Sequence, residues 1–438
     1  MKTPDNFDLG RRADHAIYLP AVNGSLPKLV DRILPDDRHF PAGFDLTDLA
    51  FWTGTSRLWN HMFLLHSIGN YSVGAFPKQS MFHRKPNSFT FIGDSGGFQI
   101  GKGTLEGLTG LTQGMAGSSA VSAWNSNYDA KLWIVNWLEQ NSDYAMTLDM
   151  PLWANTQFGT TSPFHKCSEQ QLLNMTLDNL KIIERNRIGR TKWLNAIQGT
   201  NADDTIRWWD AVKYFRYGGW SLAGAAGWRG GLHNMLSTIL RMRDESAFEK
   251  GQDWLHVLGV STPLWAILFT AIQNELRKIN SNIQVSFDSA SPFQSGGARD
   301  EYSHAPSLTR NPKDWTIGHT TLKSTKHYTN QQSHTPFPEI SPVGTNFSIQ
   351  HFVIKDDEFS GRRIDDISNA LLINHNMWVY LDAFRRANAL AFVSKDRPIP
   401  NQYAEVLDTI AEAFATDDWA GYLTKQKHLL DSLAQSEY

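Results

Sequence analysis

Short apolar segments recur along the first two thirds of the chain, and most of them end in a polar residue or a glycine. Their lengths and their content of β-branched and aromatic residues indicate buried β-strands. Eight such segments are present, at 16–22, 49–52, 90–94, 144–148, 193–197, 220–223, 254–258 and 283–287.

Amphipathic helical patterns lie between the later segments, with apolar residues three or four positions apart. Strands that alternate with helices favour a parallel sheet. Eight strands within this 438-residue chain fit a (β/α)8 barrel of the TIM type, and an open doubly wound sheet is the alternative. Three of the predicted helices cover 128–140, 231–244 and 264–279. Two more begin at 168–171, where a capping box is present, and at 201–204.

The regular alternation stops near residue 289. The stretch 289–361 is rich in Ser, Thr, Pro, Asn and His, with one strand-like run at 347–354. We therefore expect a barrel over 1–295 and, over 296–438, a long loop-rich insertion followed by a helical C-terminal cap packed on the barrel. The helical patterns of that cap lie at 364–392, 403–414 and 419–433.

Composition narrows the functional classes. A formal net charge of −3 gives no global basic field, so any nucleic-acid binding depends on a local groove. The single cysteine, Cys167, excludes an intramolecular disulfide and a multi-cysteine zinc site, and it fits a reducing compartment. We see neither an apolar signal-peptide core nor a stretch apolar enough to span a membrane, so we expect a cytoplasmic protein without a membrane partner.

The third segment ends in an unusual motif, Asp94-Ser95-Gly96-Gly97-Phe98-Gln99. The glycines allow positive φ and a close approach of ligand to backbone, and the acid, amide and ring offer hydrogen bonds and a stacking face. These groups suit a planar ligand the size of a nucleobase. Gly-Asp-Ser-Gly-Gly also surrounds the nucleophile of chymotrypsin-like proteases. That fold is disfavoured here, because it needs its His and Asp upstream of Ser95 and is usually held by disulfides.

Polar residues and glycines stand where the predicted strands end. In a (β/α)8 barrel these ends form the C-terminal face, where active sites lie. A single acid at a strand end is often only a turn or cap residue, but three acids and an amide at corresponding ends are harder to explain in that way. The residues are Asp94, Asp149, Gln198, Gly224, Gly259 and Asp288.

Several of these segments resemble tRNA-guanine transglycosylases, in that family's order along the chain. The resemblance covers roughly residues 15–295 and implies a (β/α)8 barrel that exchanges guanine in a polynucleotide for a free 7-deazaguanine. It rests on Asp-Ser-Gly-Gly-Phe-Gln at 94–99, Gln198-Gly199, Leu-Ala-Gly-Ala-Ala-Gly at 222–227, Gly-Val-Ser-Thr-Pro at 259–263, and Phe287-Asp288 with Pro292 four residues later.

The resemblance also implies roles for individual residues. Base exchange with retention at the sugar carbon takes two displacements, with Asp288 as nucleophile and Asp94 moving protons on the departing and incoming bases. Asp149 would accept hydrogen bonds from N1–H and the amino group of guanine, and Gln198 and the Gly224 backbone would contact its carbonyl edge. The remaining residues of the implied base site are Ser95, Phe98, Gln99, Leu258 and Gly259, with Phe98 and Leu258 on the two faces of the base.

The chain departs from the tRNA enzymes after residue 292. Those enzymes carry a cysteine-rich zinc subdomain there, whereas this chain has no cysteine after Cys167, and Gln294 stands where an arginine is expected. We therefore expect neither a metal nor another cofactor. A metal site built from loop histidines is the alternative; these are His304, His319, His327 and His334.

This pattern, a barrel that resembles the tRNA enzymes with a rebuilt periphery, is more similar to the DpdA-type DNA guanine transglycosylases of phages and bacteria. This similarity favours DNA over tRNA as the polymer, with a 7-deazaguanine such as 7-cyano-7-deazaguanine as the incoming base. A phage-encoded enzyme of this kind would act in the host cytoplasm. A tRNA-acting enzyme and a non-catalytic nucleic-acid-binding subunit with the same barrel are the alternatives.

Overall fold

The computed structural model describes residues 14–36, 38, 40–85, 88–249, 251–323, 337, 339–353 and 364–434. Eight parallel strands close into a barrel in chain order, and the last strand pairs back onto the first. This confirms the predicted α/β class and the TIM-type barrel. The strands are β1 (Ile17–Val22), β2 (Phe63–Ser67), β3 (Thr90–Asp94), β4 (Tyr144–Met146), β5 (Lys192–Ile197), β6 (Gly219–Leu222), β7 (Trp254–Val257) and β8 (Gln284–Ser289).

Helices surround the barrel. Ser168 and Gln171 form the predicted capping box at the start of α5 (Glu169–Asn186), and Thr262 caps α8 (Pro263–Arg277), which has Pro263 in its first turn. These helices are α1 (Ser25–Val30), α2 (Gly97–Lys102), α3 (Gly117–Ser126), α4 (Tyr128–Asn141), α5 (Glu169–Asn186), α6 (Ala202–Val212), α7 (Gly231–Asp244), α8 (Pro263–Arg277) and α9 (Ser291–Ala298).

After the barrel, β9 (Glu301–His304) and β10 (Gly318–Thr321) pair as a separate antiparallel sheet. The longest later helix, Asp366–Asn388, packs against α8 and α9 and continues into a π-helical turn at Ala389–Val393. Within the described residues, no helix combines the length and the apolar character needed to cross a membrane. The other later α-helices among the described residues are Pro342–Asn346, Asn401–Ala415 and Trp419–Ala434.

The second predicted strand, 49–52, is wrong. Two 3-10 helices occupy this region, Leu46–Leu49 and Phe51–Thr53. Asp45 and Asp48 form a capping box that starts the first of them, and Gly54, with φ +74°, ends the second. The strand of the barrel is Phe63–Ser67 instead. Because both runs are apolar and buried, hydrophobicity alone does not distinguish them.

Two predictions about the region after β8 are also wrong. Regular structure continues past residue 289, because α9 begins at Ser291 with Pro292 in its first turn, where a missing N–H costs no hydrogen bond. The strand-like run at 347–354 contains a 3-10 helix, Ile349–His351, which a capping box between Ser348 and His351 begins. Residue 354 itself lies outside the described residues.

The barrel interior is filled with side chains and is closed below its C-terminal face. Side chains on the other face of each strand pack under the helices. There Tyr18 and Phe287 lie against Phe384 of the helix Asp366–Asn388, with ring centroids 5.0 and 5.4 Å from that of Phe384. The seam between β8 and β1 is therefore covered by the C-terminal region. The inner cluster consists of Ile17, Leu19, Phe63, Leu65, Ile92, Met146, Leu194 and Trp254.

Candidate active site

Three carboxylates lie at the C-terminal face of the barrel. Asp94 ends β3, Asp149 follows β4 and Asp288 lies near the end of β8. Asp149 and Asp288 are each only 8% exposed. Electrostatic interaction links Asp149 to Asp94 and Asp94 to Asp288. The structure therefore brings together the three acids that the sequence places at strand ends.

The carboxyl group of Asp94 is withdrawn from water, although the residue as a whole is half-buried. This burial raises the pKa of Asp94 above its ordinary value, and the nearby charge of Asp288 raises it further. Hydrogen bonds from the Ser67 hydroxyl and the Gly96 N–H, and the nearby His256, act in the opposite direction. A raised pKa favours the protonated form, so Asp94 is suited to give up and take back a proton.

Asp149 and Gln198 form a buried polar pair. Gln198 Nε2 donates to Asp149 Oδ2 across 2.5 Å, and Gln198 is 6% exposed. Burial raises the pKa of Asp149 to about 6, although the hydrogen bond from Gln198 opposes the rise. An ionised Asp149 therefore presents acceptor oxygens beside an amide group that retains a second N–H.

Two groups of β7 and its loop approach the same oxygen of Asp288. The backbone N–H of Gly259 donates to Asp288 Oδ1 at 2.9 Å, and Nε2 of His256 lies 3.3 Å from that oxygen. Gly259 has φ +81°, a left-handed conformation that glycine adopts without a Cβ penalty. Oδ2 is the oxygen left for an incoming atom.

Gly224 lies against the loop that carries Gln198. It has φ +57°, and a Cβ on it would collide with the carbonyl oxygen of Gly199. The next residue, Ala225, donates its N–H to that same carbonyl at 2.7 Å. Only glycine therefore allows the loops after β5 and β6 to approach so closely, and this approach keeps the Gly224 backbone beside Gln198.

Ser95 and Gln99 are engaged within the protein. Ser95 is 1% exposed and donates to the Thr147 carbonyl at 3.1 Å, which ties the end of β3 to the chain after β4. The amide of Gln99 lies against Gly69, and its Oε1 is buried without a hydrogen-bond partner. In this structure both residues shape the Asp-Ser-Gly-Gly-Phe-Gln loop, and the hydroxyl of Ser95 is already used.

Phe98 and Leu258 lie on loops from different sides of the barrel. Phe98 is 57% exposed, and its ring centroid is 5.7 Å from that of Trp153. Lys102 Nζ lies 4.4 Å from the Phe98 centroid. Leu258 is half-buried and packs on the inner cluster. The exposed ring of Phe98 gives the mouth of the barrel a stacking surface with a cation beside it.

Three residues near the site were missed by the sequence interpretation. Ser67 was missed because its strand was misplaced, and Trp153 because it follows β4 in a 3-10 helix. His256 stands in an apolar segment, where the pattern predicts only a strand. Strand alternation relative to Leu258 is the signal that would have placed His256 on the inner face.

The proposed loop histidines do not form a metal centre in the described part of the chain. His304 contacts Glu339 Oε1 at 2.5 Å and Thr320 Oγ1 at 2.6 Å. His319 contacts the hydroxyls of Ser303 and Tyr380, each at 3.3 Å. Among the described residues no group of three or more His, Cys, Asp or Glu side chains is placed to hold a metal ion. His327 and His334 lie outside the described residues.

A second cation–ring pair stands at the same face. The exposed Arg229, in the loop after β6, has its guanidinium carbon 5.7 Å from the ring centroid of Trp228. A Cβ on Gly259 would lie 3.5 Å from Trp228 Nε1, so this pair is next to the loop that holds Asp288. Arg229, in the loop after β6, and Lys102, the last residue of α2, thus provide positive charge at the barrel mouth.

A scan against protein-family models found no match to the chain, and a search of the curated proteins found no significant relative. The chemistry of the site is therefore the basis for a proposal about function.

Proposed function

We propose that this protein is a guanine transglycosylase, which replaces guanine in DNA by a free 7-deazaguanine. The observation that carries the proposal is the set of three carboxylates, Asp94, Asp149 and Asp288, at one barrel mouth with the Gln198 amide beside Asp149. The resemblance of the strand-end motifs to tRNA-guanine transglycosylases supplies the reaction class.

The Asp149–Gln198 pair complements the hydrogen-bonding edge of guanine. Guanine offers the acceptor O6 beside two donors, N1–H and the 2-amino group. The free N–H of Gln198 suits O6, and the ionised Asp149 suits the two donors. Adenine presents an amino donor and an unprotonated N1 at the same positions, so it would leave Asp149 facing an acceptor. A 7-deazaguanine keeps the guanine edge and is accepted equally.

The first displacement uses Asp288 and Asp94. Asp288 Oδ2 forms a bond to the sugar C1′ while the C1′–N9 bond to guanine breaks, and the electron pair of that bond leaves with the base. The departing base takes the proton of neutral Asp94, whose raised pKa favours that form. The product is a sugar ester of Asp288 and free guanine, as in the first half of retaining glycoside hydrolysis.

The second displacement reverses these roles. The incoming 7-deazaguanine gives its N9 proton to the Asp94 carboxylate, and N9 attacks C1′. The C1′–Oδ2 bond breaks and its electron pair returns to Asp288. Charge and protons balance over the two steps, so the exchange requires no further co-reactant.

The preference for DNA rests on the part of the chain that departs from the tRNA enzymes. We propose that residues 296–438 form an insertion and a helical cap that border the mouth of the barrel and bind the polymer. The reaction would take place in the cytoplasm of the cell or, for a phage-encoded enzyme, of the host. The exposed Lys102 and Arg229 offer positive charge for phosphates, and the Phe98 ring offers a face for stacking. The target nucleotide must leave the base stack to reach Asp288, which costs least in a single strand.

Incubation with labelled guanine tests the proposal directly. Duplex DNA, single-stranded DNA and tRNA are supplied separately at matched low salt, because affinity for a polyanion falls steeply with salt. We expect label in DNA, with single-stranded DNA faster than duplex, and none with the Asp288→Asn variant. Label in tRNA alone would move the protein to the tRNA branch. Binding of polymer without label in any of the three would identify a non-catalytic subunit.

A further inference from the structure

A fully buried histidine lies beside the proposed nucleophile. His256 has no exposed surface, and it is the register partner of Ser286 on the neighbouring strand β8. Trp254, two residues earlier on β7, belongs to the cluster that fills the barrel, so strand alternation puts His256 on the same inner face. Buried polar side chains need hydrogen-bond partners, so the neighbours of this imidazole inside the barrel decide what it can do.

Hydrogen bonds connect this imidazole to a donor deeper in the barrel. Trp254 Nε1 donates to Ser286 Oγ at 2.7 Å, and Ser286 Oγ lies 2.9 Å from His256 Nδ1. An indole nitrogen is a donor only, so Ser286 accepts from it and has its own hydroxyl proton to place. When the Ser286 hydroxyl proton points at Nδ1, Nδ1 is the acceptor, so the imidazole carries its own proton on Nε2. Nε2 lies 3.3 Å from Asp288 Oδ1.

We propose that His256 is a positioning residue that directs Nε2–H at Oδ1 of Asp288, so that Oδ2 makes the attack on the sugar. The reaction in this inference rests on the proposed function, whereas the placement of the proton on Nε2 rests on the contacts that the two ring nitrogens make with Ser286 Oγ and Asp288 Oδ1. Gly259 is the second donor to the same oxygen, at 2.9 Å.

The two donors act most strongly when the ester breaks down. In the ester Oδ1 is the carbonyl oxygen, and negative charge returns to it as the C1′–Oδ2 bond breaks. Donors fixed before the reaction stabilise such developing charge without reorganisation. In the free protein His256 Nε2 is close to Oδ1 but makes no well-aligned hydrogen bond. Bonds of this kind often tighten only when substrate is bound.

Two amide variants separate positioning from structure. The amide nitrogen of His256→Gln reaches the place of Nε2, and that of His256→Asn reaches only the place of Nδ1. We expect His256→Gln to break down the isolated ester within about threefold of the wild-type rate on addition of deazaguanine, and His256→Asn to be at least tenfold slower. Affinity for free base should be unchanged in both. Breakdown at the wild-type rate in folded His256→Asn would overturn the proposal.

Nitrogen NMR tests the proton placement without any turnover. With ¹⁵N-labelled histidine and the His256→Gln spectrum for assignment, we expect Nε2 protonated and Nδ1 unprotonated in the free wild-type protein. Trp254→Phe, which removes the indole donor, should shift the Nδ1 resonance. A protonated Nδ1 with a bare Nε2 would overturn the proposal even if base exchange is established. If the wild-type protein forms no ester, the proposed function is rejected instead. The position of the proton on His256 is then still decided by the NMR measurement.

Discussion

Gly259 donates its backbone N–H to Oδ1 of Asp288 across 2.9 Å, and it does so from a left-handed conformation with φ +81°. The nucleophile proposed for this site is thus held by a peptide group whose orientation depends on the absence of a side chain. A Cβ at Gly259 would find ordinary contact distances, with Trp228 Nε1 at 3.5 Å. Conformation, and not space, therefore requires glycine here.

Gly259→Ala should reduce base exchange more than it reduces stability. An L-residue in the left-handed region costs about 1–2 kcal/mol, and rotation of the peptide to relieve this strain would remove the N–H from Asp288. Gly251 is a matched control, since it has φ +103° and open space around it, and it precedes β7, at the opposite end of this strand from Gly259. Urea unfolding should show similar losses for the two alanine variants, whereas only Gly259→Ala should lose exchange. Equal exchange by both would remove the hydrogen bond from the mechanism.

Asp288→Asn should abolish base exchange without unfolding the protein, because the amide is nearly isosteric with the carboxylate. Loss of a nucleophile lowers turnover by about three orders of magnitude or more. Wild type mixed with DNA and deazaguanine should give a denaturant-stable ester in intact-mass spectra, and the variant should give none. Asp203→Asn, an exposed acid in the first turn of α6, is the control and should retain full activity. Normal exchange by Asp288→Asn would require another nucleophile.

Binding of free base should depend on the ionisation of Asp149. The pKa of about 6 means that this carboxyl is protonated below that pH and ionised above it. Only the ionised group accepts hydrogen bonds from both guanine donors, so affinity should rise with pH and level off above about pH 6. Asp149→Ala should weaken binding by about 2–4 kcal/mol, because it leaves buried donors unpaired. Calorimetry from pH 5 to 8 measures both effects, and unchanged affinity would place the base elsewhere.

The same pKa shift has a consequence for stability in the absence of ligand. The folded protein binds the Asp149 proton more tightly than the unfolded chain does, since the pKa rises from 3.8 to about 6 on folding. Stability from this group is therefore full below the unfolded pKa and is lost as pH rises through the folded pKa. Asp149→Asn should be more stable than wild type above pH 6, by up to about 3 kcal/mol, and equally stable near pH 4. Urea unfolding at several pH values measures the free energy of unfolding of both proteins. A difference between Asp149→Asn and wild type that does not change with pH would contradict this account.

The cations at the barrel mouth should contribute to polymer binding and not to base binding. Lys102→Ala and Arg229→Ala should each weaken binding of single-stranded DNA and reduce the slope of log affinity against log salt by about one unit. Affinity for free guanine should not change. Lys278→Ala is the control, since Lys278 follows α8 at the opposite end of the barrel, before β8 begins. If the control reduces the slope as much as the others, the polymer does not lie across this face.

The sequence predicted seven of the eight strands of the barrel, because each is a short apolar run that ends in a polar or glycine residue. The sequence interpretation misplaced β2, because the capping acids Asp45 and Asp48 turn an apolar run into 3-10 helices. A pattern of hydrophobicity does not show such local hydrogen bonds. Ser67 and its hydrogen bond to Asp94 were lost with that strand.

The positions of the three acids were predictable, but their surroundings were not. A strand of a parallel barrel is buried on both faces, so hydrophobicity alone does not show that His256 faces inward. Strand alternation from Leu258 predicts its face, but not that it lies beside Asp288. Nor does it show that the Ser95 hydroxyl is used by the Thr147 carbonyl, since that contact joins residues 52 positions apart. Such details depend on the register between strands, which only the folded structure defines.

The packing of Phe384 against Tyr18 and Phe287 has a consequence for the order of events during synthesis. The ribosome completes β8 well before it reaches the helix Asp366–Asn388, so the newly made barrel lacks the outer cover of its β8–β1 seam. Asp288 is the residue after Phe287 and shares this seam. A nascent chain stalled before residue 366 should therefore bind no base, and the protein should acquire its site only when the helix Asp366–Asn388 has left the ribosome.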